Sequence, residues 1–127
     1  MVINLRSAYV FDILYPNRVQ YMIFIESKLF EKLREKYLDD ESYSDLQRFL
    51  VKQPLFGDVI QGTGGLRKLR WSTKGKGKRG GIRTIYLYIT EKSHIHLLTL
   101  YAKNEVSDLT ADEKKILKRI VEELKNA

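Results

Sequence analysis

The chain of 127 residues has no cysteine, only two prolines and no long apolar run. Without cysteine there is no disulfide, no thiolate metal site and no thiol nucleophile, which suits a reducing compartment. Arg6 and Asp12 interrupt the apolar residues near the N terminus, so we expect neither a secretory signal nor a membrane span of ~18 apolar residues. A hydrophobic fraction of 43% with 31% charged residues indicates one globular domain, for which a cytoplasmic location is the default expectation.

Acidic residues are also missing from the middle of the chain, where none occurs between Asp58 and Glu91. The net charge is +7, from 23 basic and 16 acidic residues. Eight of the basic residues lie in residues 67–83, and they are Arg67, Lys68, Arg70, Lys74, Lys76, Lys78, Arg79 and Arg83. The rest of the chain is nearly neutral, so this segment carries the whole positive excess. Charge concentrated in this way favours a polyanionic partner over a merely solubilising surface.

The hydrophobic pattern predicts an α+β fold with the element order β-α-α-β-β-β-α. Strands are expected at residues 20–27, 66–72, 82–90 and 94–102. Helices are expected at residues 28–38, between the break at Asp39-Asp40 and Pro54, and from about 111 to 126. Thr110 and Glu113 form a capping box for the last helix, whose predicted buried face is Ile116, Leu117, Ile120, Val121 and Leu124. The last three strands are expected to form an antiparallel sheet with the helices against one face.

Residues 1–19 do not fit this plan. They are an added strand, a flexible arm, or an extension upstream of a start at Met22, and the sequence does not choose among these. We therefore assign the domain to residues 20–127, preceded by an N-terminal extension of unknown order.

The stretch STKGKGKRGG, residues 72–81, matches the G-x-G-x-x-G pattern of dinucleotide-binding loops. That pattern binds phosphate only where a helix begins after it, and here the alternating, β-branched residues from Ile82 onward predict a strand. We expect instead a loop, which we call the basic loop, that binds along a phosphate backbone through its four cations, Lys74, Lys76, Lys78 and Arg79. Its affinity should depend strongly on salt.

The sequence contains few of the residue combinations that usually carry out catalysis. His94 and His96 lie two apart on a predicted strand and so share a face, but no third ligand is evident, and we expect edge or surface residues rather than a metal site. No serine can be assigned to a Ser-His-Asp triad from the sequence. Most carboxylates lie on predicted helices, where a solvent-exposed helix face accounts for them better than acid–base catalysis does. We expect no metal and no cofactor.

A cationic sheet surface offers another kind of chemistry. If Leu69 points into the core, Lys68 and Arg70 share the opposite face. Arg83 enters the neighbouring strand, and Lys103 ends the strand after it. Together these side chains can bind the scissile phosphate of an RNA whose own 2′-OH attacks, with a crowded lysine as general base. Residue types alone leave open whether they cleave RNA or only bind phosphate.

The segments GDVIQGTGGLRKLRWSTKGKGKRGGIRTIY (57–86) and LLTLYAKNEVSDLTADEKK (97–115) resemble the HigB-type toxins of the RelE/ParE superfamily. The resemblance covers about residues 20–125. It implies a ribosome-dependent mRNA endonuclease that cleaves in the ribosomal A site, contacts ribosomal RNA and is neutralised by a HigA-like helix-turn-helix antitoxin.

Carried over by motif, the catalytic residues are Arg83 of GGIR, Lys68 and Arg70 of LRKLR, and Lys103 of AKNE. Arg67 is the alternative if the LRKLR register shifts by one residue, and otherwise joins the basic loop as an RNA-binding residue. Asn104 and Thr110 stand where better-known RelE proteins have an arginine and a tyrosine, so the assignment of base and acid stays open.

Two other functions fit the same residues. ParE-like members of the superfamily inhibit DNA gyrase, although that activity needs no set of phosphate-directed side chains. A non-catalytic RNA-binding protein would use Trp71, Tyr86 and Tyr88 as stacking contacts, but we expect these aromatic residues to pack in the core.

Overall fold

A computed structural model describes residues 8–15, 18–72, 81–105 and 109–127, with side chains from Met22 onward. In chain order the elements are β1 (Ala8–Tyr15), β2 (Arg18–Glu26), α1 (Lys28–Tyr37), α2 (Asp40–Lys52), β3 (Asp58–Val59), β4 (Arg67–Trp71), β5 (Ile82–Ile89), β6 (His94–Ala102) and α3 (Ala111–Asn126). None of the described helices is both long and apolar enough to cross a membrane.

The strands form one six-stranded sheet in the order β1-β2-β6-β5-β4-β3. The predicted α+β class is confirmed, and β4, β5 and β6 pair antiparallel as expected. The sheet is not antiparallel throughout, however, because β2 runs parallel to β6. Parallel neighbours need a long crossover connection, and the helical hairpin of α1 and α2 lies in the connection between these two strands.

Helices cover both faces of the sheet, so the expectation of helices against one face is wrong. The reason lies in β5, whose side chains are buried on both sides. Ile82 and Tyr86 pack with α1 and α2 on what we call the hairpin face. Ile85, Leu87 and Ile89 pack with Val121 of α3 on the opposite face, which we call the α3 face. With helices on one face only, the second apolar row of β5 would be left in water.

At the N terminus, β1 pairs antiparallel with β2 along its whole length, from Ala8 opposite Ile25 to Tyr15 opposite Arg18. Of the alternatives that the sequence leaves open for residues 1–19, residues 8–15 therefore take the form of an added edge strand. Residues 1–7 lie outside the described part of the chain.

A side-chain cap begins each of the three helices α1, α2 and α3 in the described part of the chain. Ser27 accepts a hydrogen bond from Phe30 N, Asp39 accepts one from Ser42 N, and the predicted box of Thr110 and Glu113 is present in both directions. The predicted buried face of α3 is wrong at Ile116, which is 60% exposed. This residue lies in the second turn of α3, where the helix borders an open pocket instead of the packed sheet.

The loop before β3 is anchored from the hairpin face. The Tyr86 hydroxyl accepts from Gly57 N at 3.0 Å and donates to the Pro54 carbonyl at 2.8 Å. Arg67 Nη1 donates to the carbonyls of Leu55 and Gly57 at 3.0 and 2.7 Å. A Cβ on Gly57 would lie 2.8 Å from the Tyr86 ring, so only glycine fits against it.

Tyr86→Phe should lower the free energy of unfolding by about 1–3 kcal/mol, because the buried Gly57 N–H and the partly buried Pro54 carbonyl lose their partner. Burial also raises the pKa of Tyr86, as expected for a phenol held neutral inside the protein. Urea unfolding of this variant beside Tyr88→Phe, which removes the hydroxyl of a half-buried ring, measures the effect. Equal stability losses in the two variants would contradict the anchoring role.

Candidate nucleic-acid interface

Strand β4 separates a core residue from two cations. Leu69 is 2% exposed and joins the core on the hairpin face. Lys68 and Arg70 lie on the α3 face, opposite Ile85 and Arg83 of β5. This is the placement that the alternation of β4 predicts.

Arg70 and Arg83 form a directly opposed cross-strand pair, and Arg83 is opposed on its other side by Tyr101. Opposed residues have Cβ atoms ~4.5–5.5 Å apart, and like charges at this separation destabilise a sheet. The ion pairs found among the described residues involve Arg34, Lys36 and Arg48, not these arginines. A bound anion would remove this repulsion.

Arg83 also has one nitrogen atom that lacks a partner among the described residues and that an anion could contact. Its Nη1 is buried and has no hydrogen-bond partner among the described residues. A guanidinium group cannot lose its charge in a protein, so an unpaired buried N–H costs free energy that a phosphate oxygen would recover. An anion at this nitrogen would therefore stabilise Arg83.

Lys103 follows the last residue of β6 and is exposed. Its backbone N donates to Gly81 O at 3.3 Å, which extends the β5–β6 pairing by one step beyond Ile82 and Ala102. Lys103 thus lies at the end of the sheet where Arg83 enters β5. We call Lys68, Arg70, Arg83 and Lys103 the cationic face.

The other predicted RNA-binding residues are placed differently. Arg67 lies on the hairpin face, where its guanidinium group holds the loop carbonyls described above, so it does not join the cationic face. Lys74, Lys76, Lys78 and Arg79 lie outside the described residues. The segment that contains them connects Trp71 to Ile82, a cross-strand pair adjacent to Arg70 and Arg83.

The structure adds residues that the sequence reading missed. Tyr101 lies beside Arg83, and with Ile60, Leu109 and Lys114 it lines a pocket of about 150 Å³ next to Lys68. Counting back two positions from Lys103 would have indicated Tyr101. Lys114 could not be found in this way, because its position depends on how α3 docks.

The three aromatic residues considered as stacking contacts pack in the core, as expected. Tyr86 is fully buried, and the half-buried Trp71 and Tyr88 pack against the same core on the hairpin face. They lie on the opposite side of the sheet from the cationic face, so they cannot stack on RNA bound there.

His94 and His96 share the α3 face, as their spacing predicts, and lie opposite Ile89 and Leu87. The expectation of edge or surface residues is wrong for His96, which is only 7% exposed. Burial, together with the nearby positive charges of His94 and Lys92, lowers the pKa of His96 to about 4. Within the described ranges, no three His, Asp or Glu side chains come together in a way that could hold a metal ion.

The neutral, buried His96 should make stability depend on pH. Between pH 6.5 and about 4 the unfolded chain binds a proton at this histidine and the folded chain does not, so acidification favours unfolding. We expect this group to lower the free energy of unfolding by roughly 1–3 kcal/mol on going from pH 7 to pH 4. Urea unfolding across that range should show a shallower dependence for His96→Gln than for the wild type or His94→Gln. Parallel curves for all three would contradict the prediction.

Taken together, the fold and the cationic face define a small α+β protein with a cluster of positive charge on one face of its sheet. A sequence model of a known family, the RelE toxin of the RelE/RelB toxin-antitoxin system, matches residues 22–127. The chain therefore belongs to the RelE toxin family, which implies an antitoxin as partner. The match contains every residue of the cationic face and begins after β1.

Proposed function

We propose that this chain is a ribosome-dependent mRNA endonuclease of the HigB type, which cleaves mRNA in the ribosomal A site and blocks translation. The observation that supports this most strongly is the opposed pair of Arg70 and Arg83, with a buried Arg83 N–H that lacks a partner among the described residues. Such an arrangement suits a transient, doubly contacted phosphate better than a permanent structural role.

The chemistry assigns different tasks to the arginines and the lysines. Arg70 and Arg83 bind the non-bridging oxygens of the scissile phosphate and stabilise the charge that develops there. The RNA 2′-oxygen attacks phosphorus and the bond to the 5′-oxygen breaks, leaving a cyclic phosphate. The attacking hydroxyl loses a proton and the leaving oxygen gains one. Lys68 and Lys103 are the two cations of the face that can exchange these protons, because arginine stays protonated.

Thr110 takes no part in this chemistry in our account. Its hydroxyl accepts from Glu113 N at 3.2 Å and so caps α3. The family position that carries a tyrosine elsewhere thus serves the helix here, and proton transfer falls to the lysines.

Gyrase inhibition and passive RNA binding are the alternatives. Gyrase inhibition needs no phosphate-directed arginine pair, and the aromatic side chains named as stacking contacts for passive RNA binding are packed in the core. We infer that the antitoxin is HigA-like, which the sequence motifs favour.

Ribosome dependence can be tested by supplying the protein to a purified translation system and mapping the ends of the mRNA. We expect cuts within codons of translated mRNA and none in the same mRNA without ribosomes. Intact mRNA in both cases, together with arrested growth on expression, would contradict the proposal and point to gyrase.

The basic loop should supply the electrostatic part of ribosome binding. Neutralising Lys76, Lys78 and Arg79 should reduce the slope of log K against log salt for ribosome association by about two to three. The matched control neutralises Lys28, Lys32 and Arg48, which are exposed on α1 and α2. Identical slopes for the loop variant and the wild type would remove the loop from the binding surface.

A further inference from the structure

A second pocket opens beside the cationic face, between the first turns of α3 and the sheet. It has a volume of about 250 Å³ and apolar walls formed by Ile85, Leu109, Ile116 and Leu117. This is somewhat smaller than the ~300–1,000 Å³ of sites for drug-sized ligands, and it suits one small ring system.

The pocket is continuous with the cationic face. Its floor includes Thr99, which lies opposite Ile85, and Ile85 is in turn opposite Lys68 on the other side. Tyr101 lines this pocket and the smaller one beside Lys68, and it is the cross-strand neighbour of Arg83. Neighbouring strands are ~4.8 Å apart, so a ligand in the pocket would lie within one or two strand spacings of a phosphate held by Arg70 and Arg83.

Two side chains at the rim bear on what the pocket could bind. Ile116 exposes 60% of its surface at the pocket, although a residue of its type gains from burial. Glu113 places a carboxylate at the same rim, where Oε1 accepts from Thr110 N at 3.0 Å. A carboxylate has about four acceptor positions, so this bond leaves acceptor capacity while it holds the side chain in place.

We propose that this pocket binds the base of the mRNA nucleotide next to the phosphate held by Arg70 and Arg83, and that Glu113 selects bases with an exocyclic amino group. The inference rests on the proposed function and names the substrate contact that would set its sequence preference. An amino group donates to the carboxylate, whereas the two carbonyl oxygens of uracil are repelled by it. An apolar peptide segment would also fit the walls, but the adjoining cations favour a ligand that carries phosphate.

Glu113→Gln tests the base preference without removing the helix cap. Glutamine also completes a capping box, so α3 should still begin at the same residue. In a purified translation system with an mRNA library, the wild type should prefer adenine, cytosine or guanine over uracil at one position next to the cut. The variant should lose about tenfold of that preference, the effect of one hydrogen bond to a charged acceptor. Glu122→Gln, on an exposed position of the same helix, should keep the wild-type preference. An unchanged preference in Glu113→Gln would overturn the inference.

A binding measurement separates this inference from the proposed function. The full chain, with labelled isoleucine and leucine methyl groups, is titrated with 2′-O-methyl trinucleotides of A, C or U, which cannot be cleaved by 2′-OH attack. The Ile116 and Leu117 methyl signals should shift with the A and C oligonucleotides at concentrations at least fivefold lower than with U, and Glu113→Gln should narrow that gap. Such shifts in a protein that leaves mRNA intact would support the base pocket and remove the proposed nuclease. Normal cleavage without methyl shifts would overturn the pocket and leave the nuclease. Shifts caused only by the antitoxin would overturn it in favour of a protein-binding groove.

Discussion

Arg83→Ala is expected to lower the rate of mRNA cleavage by about 10²–10³-fold, the usual loss when one preorganised donor to a developing oxyanion is removed. The expectation follows from its position opposite Arg70 and from the buried Nη1 that has no partner among the described residues. Single-turnover cleavage of mRNA on stalled ribosomes measures the chemical step, and ribosome association measured separately should change much less.

Two further variants test whether the loss of cleavage depends on the guanidinium group of Arg83 and not on the loss of any positive charge. Arg83→Lys should recover only part of the rate, because an ammonium group keeps the charge but loses the planar fork that contacts two phosphate oxygens. Arg119→Ala removes an exposed arginine from α3 and should cleave like the wild type. Wild-type cleavage by Arg83→Ala would mean that the phosphate is held elsewhere.

Leu69→Ala should lower the free energy of unfolding by about 2–5 kcal/mol, as is typical of a buried leucine whose loss leaves a cavity. We expect the opposite change in stability at the adjacent residue Arg70, whose side chain lies on the other face of the sheet. Arg70→Ala relieves the repulsion with Arg83 and should stabilise the fold by about 0.2–1 kcal/mol while slowing cleavage. Adjacent positions of one strand thus separate stability from activity.

Urea unfolding and single-turnover cleavage, both measured on the wild type, Leu69→Ala and Arg70→Ala, test these two predictions. Cleavage per folded molecule should be preserved in Leu69→Ala, provided that the assay temperature is well below its unfolding transition. A destabilised Arg70→Ala, or a Leu69→Ala that is stable but inactive, would show that the two faces of β4 are assigned incorrectly.

Local signals explain why much of this fold could be predicted. The strand β6, the helix α3 and its capping box each depend on residues within a few positions of one another, and the predicted bounds agree with the structure. The parallel pairing of β2 with β6 and the docking of α3 on the second face depend on packing between distant segments. No periodicity in the sequence contains that information.

In the candidate site too, local patterns predict some residues, whereas the positions of others depend on packing between distant segments. Alternation along β4 was enough to place Lys68 and Arg70 together, and strand order then brought Arg83 beside them. Arg67, by contrast, has the same charge and the same segment as its neighbours, yet its side chain holds a loop on the opposite face. Lys114 and the pocket under Ile116 depend on how α3 docks on the sheet, so no local pattern indicates them, whereas Tyr101 lies two positions before Lys103 on the same strand.

The most direct test of RNA cleavage at the cationic face concerns the nucleophile. A reporter mRNA is prepared in two forms that differ only at the nucleotide 5′ to the mapped cut, which carries either a 2′-hydroxyl or a 2′-hydrogen. Both are presented on ribosomes in a purified translation system. We predict cleavage of the first form, with a cyclic phosphate at the new 3′ end, and no cut at that position in the second. Equal cleavage of the two forms would contradict an attack by the RNA's own 2′-OH at the cationic face.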